Sequence, residues 1–269
     1  MNKIFRLISL AAAAALCAGA LAGCGKSDSQ IAENGGTINS DTLIMGTNAE
    51  FPPFEFVSNS GVVDKFAGID VEIAKKIADK AGKELKITDM QFDGLIAAVS
   101  TKKVDMAVAG MTADDERRES VDFSDTYYVA EQVIIVAPND DSIKSAEDLK
   151  NNKKVGVVLG YTADSIITKD LKIDDKNIRR ASRALDIVQD VKNGKLDAVV
   201  VDSYTGKALA EKNGLKVIED PEAFAEEEYA IAVRKGNKEL LDLINETLKE
   251  MKENGEIEEL SQKYSETEE

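Results

Sequence analysis

AVAGMTADDERRESVDFSDTYY, residues 107–128, is the stretch from which the rest of the chain can be read. It begins as the end of an apolar strand, 104–108, breaks at Gly110 and restarts as a polar helix. Thr112 stands where a helix N-cap is expected, with Asp115 at the capping-box spacing. Asp114, Asp115 and Glu116 fill the first turn, where the positive end of the helix dipole favours acidic side chains. Arg117 follows one turn in. A strand end, a glycine and a helix start all leave backbone N–H groups without intrinsic partners. The Thr112 hydroxyl adds a donor, and the Arg117 guanidinium adds a planar fork that matches a carboxylate with two parallel hydrogen bonds. The stretch therefore reads either as a seat for a small carboxylate or as a capped helix whose arginine pairs with its own acidic first turn.

Composition narrows the function classes. The 269 residues are 43% hydrophobic and 31% charged, enough for a core and for more than one lobe. A net charge of −16 argues against nucleic acid as a partner and against adsorption to anionic lipid. Any link to a membrane then has to be covalent or hydrophobic. Histidine is absent, which removes the commonest general base and the commonest transition-metal ligand. The two cysteines, Cys17 and Cys24, both lie near the start, so the body lacks a thiol nucleophile, a disulfide and a cysteine metal site. Neither a cofactor nor a metal is implied.

Residues 1–23 read as a leader, with Lys3 and Arg6 ahead of an apolar run from Leu7 to Leu21. Leu21-Ala22-Gly23-Cys24 resembles a bacterial lipobox, in which Cys24 is lipidated and becomes the new N-terminus; Ala20-Leu21-Ala22 is the competing plain cleavage site. Residues 24–41, rich in Ser, Gly, Asn and Asp, are expected to tether the body flexibly.

From Leu43 onward, strands and helices alternate. Strands are expected at 43–47, 85–88, 104–108, 132–137, 155–158, 178–181, 196–201, 216–218 and 229–234. Between them lie amphipathic helices, with Asp70, Asp93 and Ser145 as N-caps. Residues 48–53 read as a loop fixed by two prolines. Alternation of this kind implies α/β sheets with ligands at the strand C-termini. Asp93…Lys103-Val104-Asp105 is echoed by Asp186…Lys195-Leu196-Asp197, which suggests two lobes of similar plan, with Asp105 and Asp197 as turn residues.

AGMTADDERRESVDFSDTYY resembles the extracellular solute-binding proteins of ABC transporters, in the family that takes polar amino acids. FPPFEF (51–56), FAGIDVEIAKKIA (66–78), MQFDGLIAAV (90–99), VGVVLGYTA (155–163) and LDAVVVD (196–202) extend the resemblance from Leu43 to Tyr264. It implies a two-lobed α/β fold of the periplasmic-binding-protein type II class, with two hinge strands and a ligand cleft between the lobes. The implied division is lobe 1 from 42–128 plus 229–269 and lobe 2 from 129–228. The implied role is a membrane-anchored monomer that captures a free amino acid and delivers it to an ABC permease, without chemistry of its own. The lipobox suggests the outer face of the cytoplasmic membrane of a Gram-positive cell, with a Gram-negative periplasm as the alternative.

By this resemblance Arg117, Thr112 and the Gly110 backbone meet the ligand carboxylate, and Thr162 adds a donor. Asp202 meets the ammonium, where local pattern alone reads it as an N-cap for the helix starting at Ser203. Phe51 and Phe92 wall the ligand side chain, while Phe54 and Phe56 are core. Asn48 stands where relatives place an Asp, Ala109 where some place Ser, and Val158 lines the second lobe. Two other readings use the same fold: a sensor that feeds a separate receptor, and a lyase such as cyclohexadienyl dehydratase with Glu50 as its acid.

Overall fold

The structure, a computed structural model, describes residues 40–266. The expected leader, Cys24 and nearly all of the expected tether lie outside the described residues. Among the described residues, no helix is long and apolar enough to cross a membrane.

Two five-stranded sheets underlie the two lobes. The first runs Glu84–Asp89, Thr42–Thr47, Met106–Ala107, Ala232–Arg234 and Val121–Phe123 across its width. Its first three strands are parallel, and Ala232–Arg234 runs antiparallel to both neighbours. The second runs Ile178–Ala181, Val155–Val158, Ala198–Asp202, Gln132–Val136 and Lys216–Glu219, again three parallel strands and then one antiparallel to both neighbours. The inner strands VGVV, AVVVD and QVIIV are buried along their whole length. Such unbroken apolar runs are what a sheet covered on both faces requires.

The echo seen in the sequence has a physical counterpart. Asp105 Oδ2 accepts the Ile44 N–H at 2.8 Å, and Asp197 Oδ2 accepts the Lys154 N–H at 2.7 Å. Each carboxylate thus ties the turn before its own strand to the neighbouring parallel strand or its lead-in, as the turn-residue reading anticipates.

The chain leaves the first sheet after Val121–Phe123 and returns at Ala232–Arg234. Both passages meet in a two-stranded antiparallel ribbon, Tyr128–Ala130 against Glu227–Tyr229. The strand expected at 229–234 is therefore two strands, one in the ribbon and one in the sheet. The stretch read as a proline-fixed loop instead begins a three-stranded antiparallel sheet of Glu50–Phe51, Glu55–Val57 and Phe66–Ala67. Pro52 and Pro53, joined by a cis bond, fall at its first turn, where a missing N–H costs no ladder hydrogen bond.

Three expected caps are corrected. The helix Ile69–Lys80 starts after Gly68, so Asp70 lies inside its first turn and is fully buried. Asp93 lies inside a 3₁₀ turn, Phe92–Gly94, and Gly94 takes the cap position of the helix Leu95–Ser100. Thr112 is still extended, bridged to Tyr229, and the Ala113 N–H goes to the Glu228 carbonyl. The helix therefore starts later, at Asp115–Arg118, capped by Asp114, whose Oδ1 accepts the Arg117 N–H at 2.7 Å. Ser145 does form a capping box, with Asp148.

Candidate ligand cleft

The parallel strands of both sheets end at a common cleft. Asn48 follows Thr47, Ala109 and Gly110 follow Met106–Ala107, and Val158 and Asp202 close their own strands. Strand C-termini of open α/β sheets are where such folds hold ligands.

Arg117 is largely buried, with 12% of its side chain exposed. Nη1 donates to the Thr112 carbonyl at 2.8 Å, and Nη2 donates across the cleft to the Gly160 carbonyl at 3.0 Å. Nε faces Asp114 at 3.4 Å, so the local reading, an arginine paired with its own first turn, holds in part. The guanidinium also lies 5.3 Å from the centre of the Phe92 ring, a cation–π distance. Phe92 thus orders the arginine as well as walling the cleft.

Thr112 and Thr162 meet hydroxyl to hydroxyl at 3.0 Å, and Thr112 Oγ1 donates to Glu227 Oε2 at 2.7 Å. Gly110 is not an open donor. Its N–H goes to Asp70 Oδ2 at 2.8 Å, because the inward turn of the Asp70 side chain puts an acceptor beneath it. The residue has φ 51, and a Cβ there would sit 2.7 Å from the Phe51 ring, so only glycine fits.

Asp202 holds the N-terminal position of the helix Ser203–Asn213 but makes no side-chain cap. Its Oδ1 accepts the Tyr229 hydroxyl and, at 3.1 Å, Gln132 Nε2. The cap reading fails because these partners draw the carboxylate away from the helix start. Burial pushes its pKa up to about 7, with the like charge of Glu227 adding to the effect.

The aromatic wall is larger than expected. Phe51 is buried, stacked on Phe54 at 5.6 Å and edge-on to Tyr161 at 5.5 Å. Tyr161 comes from the second lobe and also packs on Phe92 at 4.6 Å. Its hydroxyl donates to Asn48 Oδ1 at 3.3 Å, while Asn48 Nδ2 donates to the Met90 carbonyl at 3.1 Å. Ala109 and Val158 are buried. A cavity of about 480 Å³ opens beside Arg117, between Phe92 on one side and Tyr161, Thr162 and Arg180 on the other. Neither Ala109 nor Val158 lines it. Glu50 faces Arg183 of the second sheet's side at 3.1 Å.

Four chemically active residues escape the sequence reading: Glu55, Gln132, Glu227 and Tyr161. Glu55 lies against Asp70, and both are fully buried. Burial raises the Glu55 carboxyl well above its ordinary value and pushes Asp70 up to about 6. A lone glutamate among the aromatics of FPPFEF is the signal that points to the first. Glu227 sits in an EEEY run that reads as a solvated acidic patch. A cation with donors on one side of a cleft and a buried carboxylate on the other can hold a zwitterion by both ends.

The profile of the bacterial extracellular solute-binding proteins, family 3, matches residues 43–267. The arginine-binding extracellular protein ArtP of Bacillus subtilis is 40% identical over 253 residues, covering 91% of this chain and 92% of its own. An ancestral arginine-binding protein solved bound to glutamine is 41% identical, with a TM-score of 0.76 over 84% of this chain and 98% of that one. The ancestral amino acid-binding protein AncCDT-1, a precursor of cyclohexadienyl dehydratase, is 36% identical, with a TM-score of 0.74 over 83% and 95%.

Proposed function

The chain belongs to the bacterial extracellular solute-binding proteins, family 3, and from that premise we propose that its cleft captures one free amino acid and presents it to an ABC permease. The ligand carboxylate takes the Arg117 fork, and the hydroxyls of Thr112 and Thr162 add donors. The ligand ammonium takes Asp202. Phe51 and Phe92 pack its side chain, with Asn48, Ala109, Gly110 and Val158 completing the walls. Lobe 1 is taken as 42–128 plus 229–269 and lobe 2 as 129–228, so the ligand ties one to the other. A ligand that contacts both lobes favours their closed arrangement by its differential affinity for it.

The observation that carries this reading is the largely buried guanidinium of Arg117, which reaches the Gly160 carbonyl in the lobe where Asp202 lies buried at a strand end. Arginine and glutamine are the first ligands to test, because relatives of this sequence bind them. Cys24 carries the lipid anchor on the outer face of a Gram-positive cytoplasmic membrane. The protein works as a monomer.

The test is thermal unfolding of residues 25–269 with each amino acid in turn. A ligand at 100 times its Kd adds about 2.7 kcal/mol, a shift of a few degrees for a body of this size. A shift from one or a few amino acids, lost in Arg117→Ala, supports the reading. No shift from any of them sinks it.

A further inference from the structure

One group in the cleft has no place in the scheme above. Glu227 comes from the ribbon between the sheets, in the passage on which the chain returns to the first lobe. It is buried, and its two oxygens reach residues of the proposed site: Oε2 accepts the Thr112 hydroxyl at 2.7 Å, and Oε1 accepts Gln132 Nε2 at 3.0 Å. The same Nε2 donates to Asp202 Oδ1 at 3.1 Å. One amide nitrogen therefore bridges two buried carboxylates. The amide nitrogen thus faces the pair.

That orientation leaves a defect. Gln132 is 1% exposed, and its Oε1 is buried with no donor. An orphaned buried acceptor costs roughly 1–3 kcal/mol. Two buried carboxyls bridged by a single amide nitrogen call for a compact group with several N–H donors and a positive charge. An alkylammonium has three such donors.

The charged and titratable groups facing the pair come from every side. Arg117, from the short helix Asp115–Arg118, is the cation, and its guanidinium already donates to two carbonyls. Tyr229, from the ribbon, donates to Asp202. Glu55 and Tyr161 feel the Asp202 charge from the first and second lobes. The local balance is thus short of positive charge.

Resting on the amino-acid reading, we propose that Glu227 is a binding residue: with Asp202 and Gln132 it forms a two-carboxylate subsite for the ligand ammonium, and binding exchanges a proton held by the pair for that ammonium. Before binding, one carboxyl of the pair keeps its O–H. When the ammonium arrives, that O–H ionises, its proton leaves to the solvent, and ligand N–H groups take its place. The raised carboxyls of Asp202 and Glu227, each set first by burial, agree with a pair that retains a proton near neutral pH. The bound complex then carries fewer protons than the free protein, so affinity rises with pH until the pair is ionised before binding.

Calorimetric titration with L-arginine and L-glutamine at pH 6, in buffers of different ionisation enthalpy, counts the protons. The expected result is close to one proton released per ligand, with affinity rising about tenfold per pH unit between pH 5 and 7. Glu227→Gln keeps the hydrogen-bonding shape and removes the charge. It should release clearly less than one proton at pH 6 and shift that pH profile toward lower pH, because burial of Asp202 remains while the like charge is gone. A merely structural role would lower affinity equally at every pH and leave the proton count at one. Binding by the unaltered protein without proton release overturns the proposal alone, whether or not the variant folds. No binding heat from either ligand, with no thermal shift from any amino acid, overturns the amino-acid reading and this proposal with it.

Discussion

The two lobes share a scaffold and differ in how its ends are finished. In each, three parallel strands are followed by an antiparallel one, and an aspartate just before one strand holds a backbone N–H of the neighbouring parallel strand or its lead-in. At the strand ends the likeness stops. The first lobe offers a guanidinium and a hydroxyl at Arg117 and Thr112. The second offers the Asp202 carboxylate and an aromatic, Tyr161. The difference separates two kinds of buried or half-buried acid. Asp105 and Asp197 are satisfied by the backbone of their own lobe. Asp202 is held by Tyr229 of the inter-sheet ribbon and by Gln132 of the neighbouring strand, and its carboxyl is pushed upward by burial. The first kind serves the fold, and the second is the kind we propose serves the ligand.

The largest effect expected from this comparison is on Arg117. Arg117→Ala should weaken amino-acid binding by about 2–5 kcal/mol, the range for truncating one partner of a buried, hydrogen-bonded charge pair. Calorimetry on the folded variant checks it. Asp202→Asn comes next, at about 1.5–3 kcal/mol of binding for loss of a charged hydrogen-bond partner. The same change should raise the unfolding midpoint without ligand at pH 7, because it removes a carboxyl that burial disfavours. Asp105→Ala should leave Kd unchanged and cost roughly 1–3 kcal/mol of stability, since it orphans a backbone N–H. Asp197→Ala should cost less, because its hydrogen bond lies in contact with solvent. Denaturant midpoints of the two variants, measured side by side, give the ranking.

The smallest effect is on pH dependence of stability, and its sign is opposite to that of ordinary acid denaturation. Asp70 and Asp202 have folded-state carboxyls pushed up to about 6 and about 7. A group that holds its proton more tightly when folded stabilises most below its unfolded pKa and loses that contribution as pH rises through its folded pKa. Between roughly pH 4 and 7 these groups should therefore lower the midpoint by a few degrees as pH rises. Saturating amino acid should reduce the fall, because an ammonium partner favours the ionised form of Asp202. Thermal scans at pH 5, 6 and 7, with and without ligand, read this directly.

Much of this was legible in the sequence, for definite reasons. Apolar runs such as VGVV and AVVVD mark buried parallel strands, and Leu240, Ile244, Leu248 and Met251 mark the helix Lys238–Glu253 by their spacing. Phe92, Arg117 and Thr162 line the cavity beside Arg117, whereas Asn48, Phe51 and Asp202 are buried outside its lining, and their part in a ligand site is our proposal. The caps were misread at Asp70, Asp93 and Thr112, because a cap is decided by where a chain stops being extended. At Thr112, that is set by its bridge to Tyr229, more than a hundred residues away. The Gly110 N–H was misread for a similar reason: Asp70, forty residues earlier, takes it. Glu227 and Gln132 were invisible, because an acidic run and a strand-end glutamine reveal nothing until the ribbon brings them to Asp202.

The central claim is that the cleft holds a free amino acid by both charged ends, and chemically blocked ligands test it most directly. Calorimetric titrations would compare the best-binding amino acid with its carboxamide and its N-acetyl derivative, at pH 7.5 and moderate salt. Each derivative removes one charge and keeps the side chain. The account predicts that each loses at least about 2 kcal/mol, the carboxamide through Arg117 and the N-acetyl form through Asp202 and Glu227. Binding of either derivative as tight as that of the free amino acid would contradict it.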